Sequence, residues 1–188
     1  MEVITHDQSP DIAGAVDQER QTGAGDQGIL YGYACSETEE LLPLPVVLAH
    51  RLTRLLTYAR MDGRIQGLGP DGKAQVSVEY VFGLPSRIAS VVVSCQHDAG
   101  KDVEELRQEI REQVIQPALR ALPPDEETEI LINPSGRFVQ GGFEADTGLT
   151  GRKLMVDTYG TFAPHGGGAF SGKDPTKVDR SGAYMARY

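Results

Sequence analysis

The 188-residue sequence contains no tryptophan, only 6% aromatic residues and two cysteines, Cys35 and Cys95. Two cysteines that lie 60 residues apart argue against a disulfide framework and against a four-ligand zinc site. A reducing cytoplasm is the simplest compartment for them. The apolar runs are well short of the ~18 residues that span a bilayer, so no membrane partner is expected. The polar, acidic start also lacks the apolar core of a secretory signal.

Basic residues are scarce as well: 18 Lys and Arg accompany 27 Asp and Glu, which gives a formal net charge of −9. This balance argues against a nucleic-acid partner. The charge is uneven, because residues 1–132 carry 11 basic and 22 acidic side chains, whereas residues 133–188 carry 7 and 5. Glycine is also dense in the second part. We therefore expect an anion to bind there.

Apolar residues that alternate with polar ones predict several β-strands. The clearest pair, QVSVEYVF and RIASVVVSCQ, is separated by a short segment that contains Gly83, and it predicts a hairpin. The other expected strands are residues 29–35 (ILYGYAC), 129–133 (EILIN) and 153–159 (KLMVDTY). Residues 1–28 and 61–73 are polar or rich in Gly and Pro, which predicts loops.

Three helices are expected. The first begins near Pro45 and buries a face made of Val46, Ala49, Leu52, Leu56 and Ala59. The second begins after the N-cap Asp102, with Glu105 three residues later. The third follows Asp174 as N-cap and has Pro175 as its first residue. Strand pairs that alternate with helices predict an α+β fold with the helices on one face of the sheet.

A glycine-rich segment, HGGGAFSGKDPTKVDRS from His165, is the clearest candidate for chemistry. From Gly167 it differs by one residue from the phosphate-binding pattern GxxxxGK[ST], because Asp174 occupies the Ser or Thr position. Glycines let backbone N–H groups approach an anion, and Lys173 adds a positive charge. A nucleotide-hydrolysing P-loop is disfavoured, because Asp174 would bring a negative charge beside the phosphates. A phosphate-binding loop of another kind and a flexible surface turn remain as alternatives.

Charged residues elsewhere have both a functional and a structural interpretation. Asp26 lies between glycines in GAGDQG, Lys73 follows a PDG turn, and Asp146 precedes the basic pair Arg152 and Lys153. Each of these side chains could contact a ligand. The structural alternative is a solvated turn. For Asp26 and for Lys73, the motif taken alone favours this alternative.

Two further segments carry aromatic, histidine or cysteine side chains. Phe138 in NPSGRF could stack on a base beside Arg137, although phenylalanine is more often a core residue. His97 in CQHD is expected in a loop and has no metal-ligand spacing. Its neighbour Cys95 is expected to be a buried structural residue rather than a nucleophile.

Five of these motifs occur in an order that resembles the S-adenosylmethionine synthetase (methionine adenosyltransferase) family. They are GAGDQG (23–28), PDGK (70–73), INPSGRF (132–138), GLTGRK (148–153) and GGGAFSGKDPTKVDRS (166–181). The resemblance extends over essentially the whole chain. It implies a fold of two-layer sheet-and-helix units related by pseudo-threefold symmetry. It also implies a homo-oligomer, a dimer or a dimer of dimers, with active sites between subunits.

The resemblance also implies three parts: the tail of an N-terminal domain (1–22), a central domain (23–140) and the beginning of a C-terminal domain (141–188). The family's His-Pro-Asp-Lys segment is absent from the sequence. GFEADTG and GLGPDGK depart from the usual patterns before Asp146 and Lys73, which bears on substrate positioning. We therefore expect a fragment of a longer protein.

The implied reaction is attack of the L-methionine sulfur on ribose C5′ of ATP, with release and hydrolysis of triphosphate, and the implied ions are Mg²⁺ and K⁺. Four cations would contact the polyphosphate and act in catalysis: Lys73, Arg152, Lys153 and Lys173. The other ATP-binding positions would be Asp71, Gly72, Arg137, Phe138 and Ala169. Asp26 and Asp146 would hold polar groups of methionine or ribose, and Lys177 would lie on the methionine and phosphate side. Asp179 would bind Mg²⁺. The alternatives are a non-catalytic ATP- or polyphosphate-binding module and a structural fragment that binds neither.

Overall fold

The computed structural model describes residues 3–7, 9–18, 21–23 and 26–188, and it confirms a mixed α+β fold. The chain divides into two compact units. One, here called the sheet unit, is Cys35–Gly148, and the other, the discontinuous unit, combines Met1–Ala34 with Leu149–Tyr188. Within the described ranges, no helix is long and apolar enough to cross a membrane.

The start of the discontinuous unit contains a short helix, α1 (Pro10–Val16), and two short strands, β1 (Asp17–Gln18) and β2 (Gln21–Thr22), which pair antiparallel. The prediction of a loop over residues 1–28 is therefore wrong at these positions. Proline is favoured in the first turn of a helix, because a backbone N–H at this position has no partner within the helix and its absence costs nothing. An element of seven residues is too short for its periodicity to be visible in the sequence.

The sheet unit begins with helix α2 (Leu44–Met61), which confirms the first predicted helix. Its buried face is rotated slightly from the predicted one, because Val47 and Leu48 are buried whereas Val46 and Ala49 are half-buried. The rest of the predicted face is buried as expected: Leu52, Leu56 and Ala59.

Strands β3 (Leu68–Val81) and β4 (Leu84–His97) form the predicted antiparallel hairpin. The two turn residues Phe82 and Gly83 have φ angles of 51° and 78°, as a type I′ turn requires. The loop predicted over residues 61–73 ends early, because β3 already starts at Leu68. Pro70 is tolerated since β3 lies at the edge of the sheet and a register shift falls between Leu68 and Gly72.

The sheet is completed by β5 (Glu129–Ile132), the predicted EILIN strand, which pairs parallel with β4 to give the order β3-β4-β5. The connecting helix α3 (Val103–Ile110) starts at the predicted N-cap, where the Asp102 side chain accepts a 2.8 Å hydrogen bond from the Glu105 amide. A π-helical turn (Arg111–Ile115) follows and leads into α4 (Gln116–Ala118). Because Pro117 has no N–H to donate, the wider turn before it accommodates the missing helical bond.

One face of this sheet packs on the helices. The core is a cluster of aliphatic residues from α2, β4, α3 and the π-helical turn, including Leu48, Leu52, Ile88, Val91, Val93, Leu106, Ile110 and Ile115. Along β4 the buried side chains alternate, so that Val91, Val93, Cys95 and His97 share the inner face. This alternation determines which residues at the end of β4 point towards the core.

In the discontinuous unit, the two predicted strands are wrong. Residues 29–35 form no strand. They contact the last helix instead: the Arg187 guanidinium donates to the Tyr33 carbonyl at 2.8 Å, and a Cβ on Gly32 would lie 2.7 Å from the Arg187 backbone nitrogen. Residues 153–159 instead contain the helical turn α5 (Leu154–Asp157). Its backbone bonds are local, as from the Asp157 amide to the Lys153 carbonyl at 3.0 Å. The last helix is α6 (Val178–Arg187).

Candidate functional site

The glycine-rich segment 165–177 forms a loop that ends where α6 begins. His165 Nδ1 accepts a 2.8 Å hydrogen bond from the Gly167 amide. The predicted helix start is wrong: Asp174 does not cap α6, which begins at Val178. Its carboxylate accepts from the Thr176 amide at 2.8 Å and from the Thr176 hydroxyl, so it closes a turn ahead of the helix. These bonds from Thr176 lower the pKa of Asp174 to about 2.

Lys173 and Asp179 form an ion pair between this loop and the first turn of α6. Both side chains are partly shielded, with 30% and 22% of their surface exposed. The Arg180 guanidinium donates to the Lys173 carbonyl, which also fixes the lysine backbone. The residue predicted to bind phosphate and the residue predicted to bind Mg²⁺ are therefore in direct contact.

Gly168 lies against the same carboxylate. A Cβ at this position would be 2.6 Å from the Asp179 Cβ and closer still to its carboxyl group, so only glycine fits without movement. The loop backbone, Lys173 and Asp179 thus form one compact cluster, which we call the loop cluster.

The GLTGRK segment contacts the loop at Gly151. A Cβ built there would lie 2.8 Å from the Ala169 Cβ. Arg152 and Lys153 follow at once and are exposed, and neither has an ion-pair partner within the part of the chain that the structure describes. The structure therefore brings the segment that carries these two cations next to the predicted phosphate-binding loop.

Two residues predicted to bind methionine belong to the discontinuous unit: Lys177 is the last residue of the loop, and Asp26 lies on the surface. Lys177 is half-buried, and its ammonium lies 3.3 Å from an Asp174 carboxylate oxygen. Asp26 is exposed and accepts a local 2.7 Å hydrogen bond from the Gln27 amide. Their roles towards methionine stay predictions.

In the sheet unit, Asp71 is connected to the segment after Phe138. Its carboxylate accepts from the Gly142 amide at 2.9 Å, and its own amide donates to Gln96 Oε1 at 3.3 Å. Gln96 Nε2 in turn donates to the Val139 carbonyl at 3.1 Å. Gln96 therefore links the PDGK motif with the NPSGRF motif, a connection that sequence spacing does not show.

The remaining predicted residues of this unit are more exposed. Lys73 lies on β3 opposite Ser94, and within the described ranges it has no ion-pair partner. A Cβ on Gly72 would touch Leu56 at 3.5 Å, so this backbone passes close to α2. The guanidinium of Arg137 donates to the Ala99 carbonyl at 3.4 Å. The Asp146 side chain is exposed.

Sequence reasoning missed the importance of His97. It is the last residue of β4, only 2% exposed, and not a loop residue. Its amide donates to the Phe138 carbonyl at 2.9 Å, and its Nε2 accepts from the Phe138 amide at 3.0 Å. The sequence does contain a signal for its burial, because His97 continues the alternation of inward residues from Val91 and Val93.

Asn133, at the other end of the NPSGRF turn, is also buried. Its side-chain oxygen accepts from the Cys95 amide at 2.8 Å, its nitrogen donates to the Cys95 carbonyl at 3.0 Å, and its φ is 43°. Arg107 donates to the Asn133 carbonyl at 2.9 Å. Cys95 itself is 1% exposed, and burial raises the pKa of its thiol to about 12. The cysteine is therefore buried, as predicted, and lacks the low pKa of a reactive nucleophile.

Comparisons with known proteins cover both parts of the chain. Residues 21–138 match the family model for the central domain of S-adenosylmethionine synthetase, and residues 140–188 match that for its C-terminal domain. The S-adenosylmethionine synthase of a Sulfurovum species is 56% identical over 184 residues, which are 97% of this chain and 48% of the relative. Those of Thermus thermophilus and a Nitratiruptor species are each 54% identical over 97% of this chain, and the matches cover 49% and 47% of their own length.

The chain thus spans about half the length of the curated relatives it matches. The matched regions contain all five motifs by which the sequence resembles this family. The chain belongs to the S-adenosylmethionine synthetase family.

Proposed function

We propose that this chain supplies the central domain and part of the C-terminal domain of a methionine adenosyltransferase, which makes S-adenosylmethionine from ATP and L-methionine. The observation that carries the proposal is the loop cluster, in which Lys173 of the glycine-rich loop pairs with Asp179 of α6 in a chain of this family. A polyphosphate needs cations and N–H donors, and Mg²⁺ needs carboxylate oxygen. The loop cluster offers both.

The chemistry requires alignment and charge stabilisation. The methionine sulfur attacks ribose C5′, the C5′–O bond breaks, and the electron pair leaves with the triphosphate, which is then hydrolysed. A thioether sulfur is already a nucleophile, so no general base is needed and positioning contributes strongly to the rate. The negative leaving group would be stabilised by Lys73, Arg152, Lys153 and Lys173.

Other residues would hold the base and the second substrate. Phe138 would stack on adenine with Arg137 beside it, and the backbone at Asp71, Gly72 and Ala169 would line the nucleotide. Asp26 and Asp146 would bind polar groups of methionine or ribose, and Lys177 would lie on the methionine and phosphate side. The exposed side chains of Asp26 and Asp146 are compatible with these roles.

Asp179 is the residue that would hold Mg²⁺. In the described part of the chain, no three His, Cys, Asp or Glu side chains are grouped as a metal site. One carboxylate is nevertheless a suitable contribution, because Mg²⁺ in phosphate-transfer sites takes one or two carboxylates and completes its shell with phosphate oxygens and water. When bound, the ion would neutralise charge on the phosphates. Lys173 would exchange its bond to Asp179 for one to a phosphate oxygen.

The test is turnover by the full-length subunit that contains this chain, measured as S-adenosylmethionine formed from ATP and methionine with Mg²⁺ and K⁺. Lys173→Ala and Lys73→Ala should each lower turnover by about 100-fold or more, as the loss of one oxyanion donor does. Arg54→Ala is the control, because it removes a positive charge from an exposed position on α2. Near-normal rates for the two lysine variants would reject their phosphate roles.

If the full-length protein forms no S-adenosylmethionine, the proposal is wrong. Binding of ATP without turnover would then favour the non-catalytic module, and flat calorimetry with ATP and triphosphate would favour a structural fragment. Potassium enters the proposal through the family resemblance alone, and replacement of K⁺ by Na⁺ tests it.

The remaining parts of the proposal concern assembly and location. We expect a homodimer or a dimer of dimers, measured as the mass of the full-length protein by light scattering, and a cytoplasmic location, measured by fractionation.

A further inference from the structure

His97 binds both polar backbone groups of Phe138, one through its own backbone amide and the other through its buried imidazole. Its amide donates to the Phe138 carbonyl at 2.9 Å, and its Nε2 accepts from the Phe138 amide at 3.0 Å. The Phe138 ring is half-buried and lies near Gly141, where an added Cβ would be 2.8 Å from the ring. The backbone that carries this ring is therefore held at both of its polar groups by His97, at the end of β4.

The two neighbours of the imidazole determine its protonation pattern. Nδ1 lies 3.0 Å from the Asp98 carbonyl oxygen, which can only accept, so Nδ1 carries the proton. The Phe138 amide can only donate, so Nε2 must be unprotonated. Both nitrogens are thus engaged with backbone groups, which leaves His97 no free nitrogen for acid–base chemistry and assigns it a positioning role.

The NPSGRF turn is held at both of its ends by buried side chains. Asn133 binds the Cys95 backbone at the start of the turn, and His97 binds Phe138 at its end. Pro134 and Ser135 between them are exposed. Without an acceptor at residue 97, the Phe138 amide would lose its partner in a partly buried site, which favours movement of the turn.

We propose that His97 is a positioning residue that holds Phe138 for stacking on the nucleotide base, an inference that rests on the proposed function. The side chain at residue 97 then affects affinity for ATP and not affinity for methionine. The property that matters is a hydrogen-bond acceptor at the place of Nε2.

Two variants separate this acceptor from the rest of the side chain. His97→Gln can put its amide oxygen near the place of Nε2, whereas the shorter His97→Asn keeps only a group near Nδ1. In the full-length subunit, His97→Asn should raise KM for ATP about tenfold, which corresponds to about 1.4 kcal/mol. KM for methionine should change less than about twofold, and His97→Gln should keep KM for ATP within about threefold of wild type.

The outcomes distinguish this inference from the proposed function. An inactive wild-type protein refutes the proposed function, and the same comparison is then made on the dissociation constant of ATP by calorimetry. Equal ATP affinity in wild type and His97→Asn overturns the positioning role. Equal losses in both variants, or a parallel loss of methionine affinity, also overturn it, because they indicate only general destabilisation. A ¹⁵N-correlated NMR spectrum of the chain that shows the proton on Nε2 would contradict the hydrogen-bond assignment on which the inference depends.

Discussion

Replacement of Gly168 by alanine should destabilise the discontinuous unit through a collision with Asp179. The added Cβ would lie 2.6 Å from the Asp179 Cβ, whereas carbon atoms in contact are about 3.5–4.0 Å apart. One of the two groups must therefore move by about 1 Å. Gly168 is not among the glycines with positive φ, so alanine adds no left-handed backbone strain there. The expected cost is consequently steric.

The magnitude follows from overpacking. An extra carbon in a tight site typically costs about 1–3 kcal/mol. Asp179 has little freedom to move away, because it lies in the first turn of α6 and its carboxylate is paired with Lys173. We expect Gly168→Ala to lower the free energy of unfolding by an amount in that range, and to weaken the Lys173–Asp179 pair.

The chain offers a suitable signal for the measurement. It contains no tryptophan, and five of its seven tyrosines belong to the discontinuous unit. Tyrosine fluorescence during urea denaturation therefore reports mainly on this unit. The decisive experiment is a double-mutant cycle of Gly168→Ala with Asp179→Gly, which removes the atoms that the new methyl group meets. The cost of Gly168→Ala should fall by about 1–3 kcal/mol in the Asp179→Gly background.

Gly167→Ala is the matched control. Gly167 has a φ of 96° and no atom within 4 Å of an added Cβ, so its replacement costs backbone strain without a collision. Its cost should be the same with Asp or Gly at position 179. The steric account is refuted if Gly168→Ala and Asp179→Gly are additive within about 0.5 kcal/mol.

Two further predictions concern local structure. Asn133→Ala loses two hydrogen bonds to Cys95 and keeps a left-handed φ of 43°, so it should lower the free energy of unfolding, measured by urea denaturation, by about 2 kcal/mol or more. Asn133→Gly should lower it less, because glycine tolerates this φ. Equal costs of the two variants would show that backbone strain does not contribute. Thr176→Val removes the hydroxyl that binds Asp174, so NMR titration should show the pKa of Asp174 rising from about 2 towards its ordinary 3.8. Because the pKa of Asp174 is lower in the folded protein than in the unfolded one, its ionised carboxylate stabilises the fold above about pH 3.8, and this stabilisation is lost as the pH falls through about 2. An unchanged pKa in Thr176→Val would contradict the role of the Thr176 hydroxyl.

The parts of the fold that the sequence predicted well depend on local signals. The hairpin of β3 and β4 follows from alternation and a short turn, and the start of α3 follows from Asp102 and Glu105. Helix α2 follows from apolar residues at helical spacing, such as Leu52, Leu56 and Ala59, although the exact rotation of its buried face did not. Such signals act between neighbours in the chain, so a single sequence contains them in full.

The failures depend on distant contacts. Residues 29–35 have strand composition, but the Tyr33 carbonyl bonds to Arg187 and the segment pairs with no strand in the described ranges. The Asp174-Pro175 pair has the form of a helix start, yet Asp174 binds Thr176 and the helix begins three residues after Pro175. In the candidate site, the motifs predict which cations contact the polyphosphate, and these roles stay predictions. The contact of Lys173 with Asp179 and the bonds of His97 to Phe138 required the folded chain.

The discontinuous unit also constrains the order in which the protein can fold during synthesis. Its bond between Arg187 and Tyr33 joins residues 154 positions apart, and the whole sheet unit is encoded between them. The sheet unit is complete once Gly148 has left the ribosome, whereas Tyr159, Phe162 and Arg187, which contact Tyr33, are all made later. We infer that the aromatic segment around Tyr33 stays exposed throughout this interval. During this time the nascent chain presents an aromatic surface that a chaperone can bind.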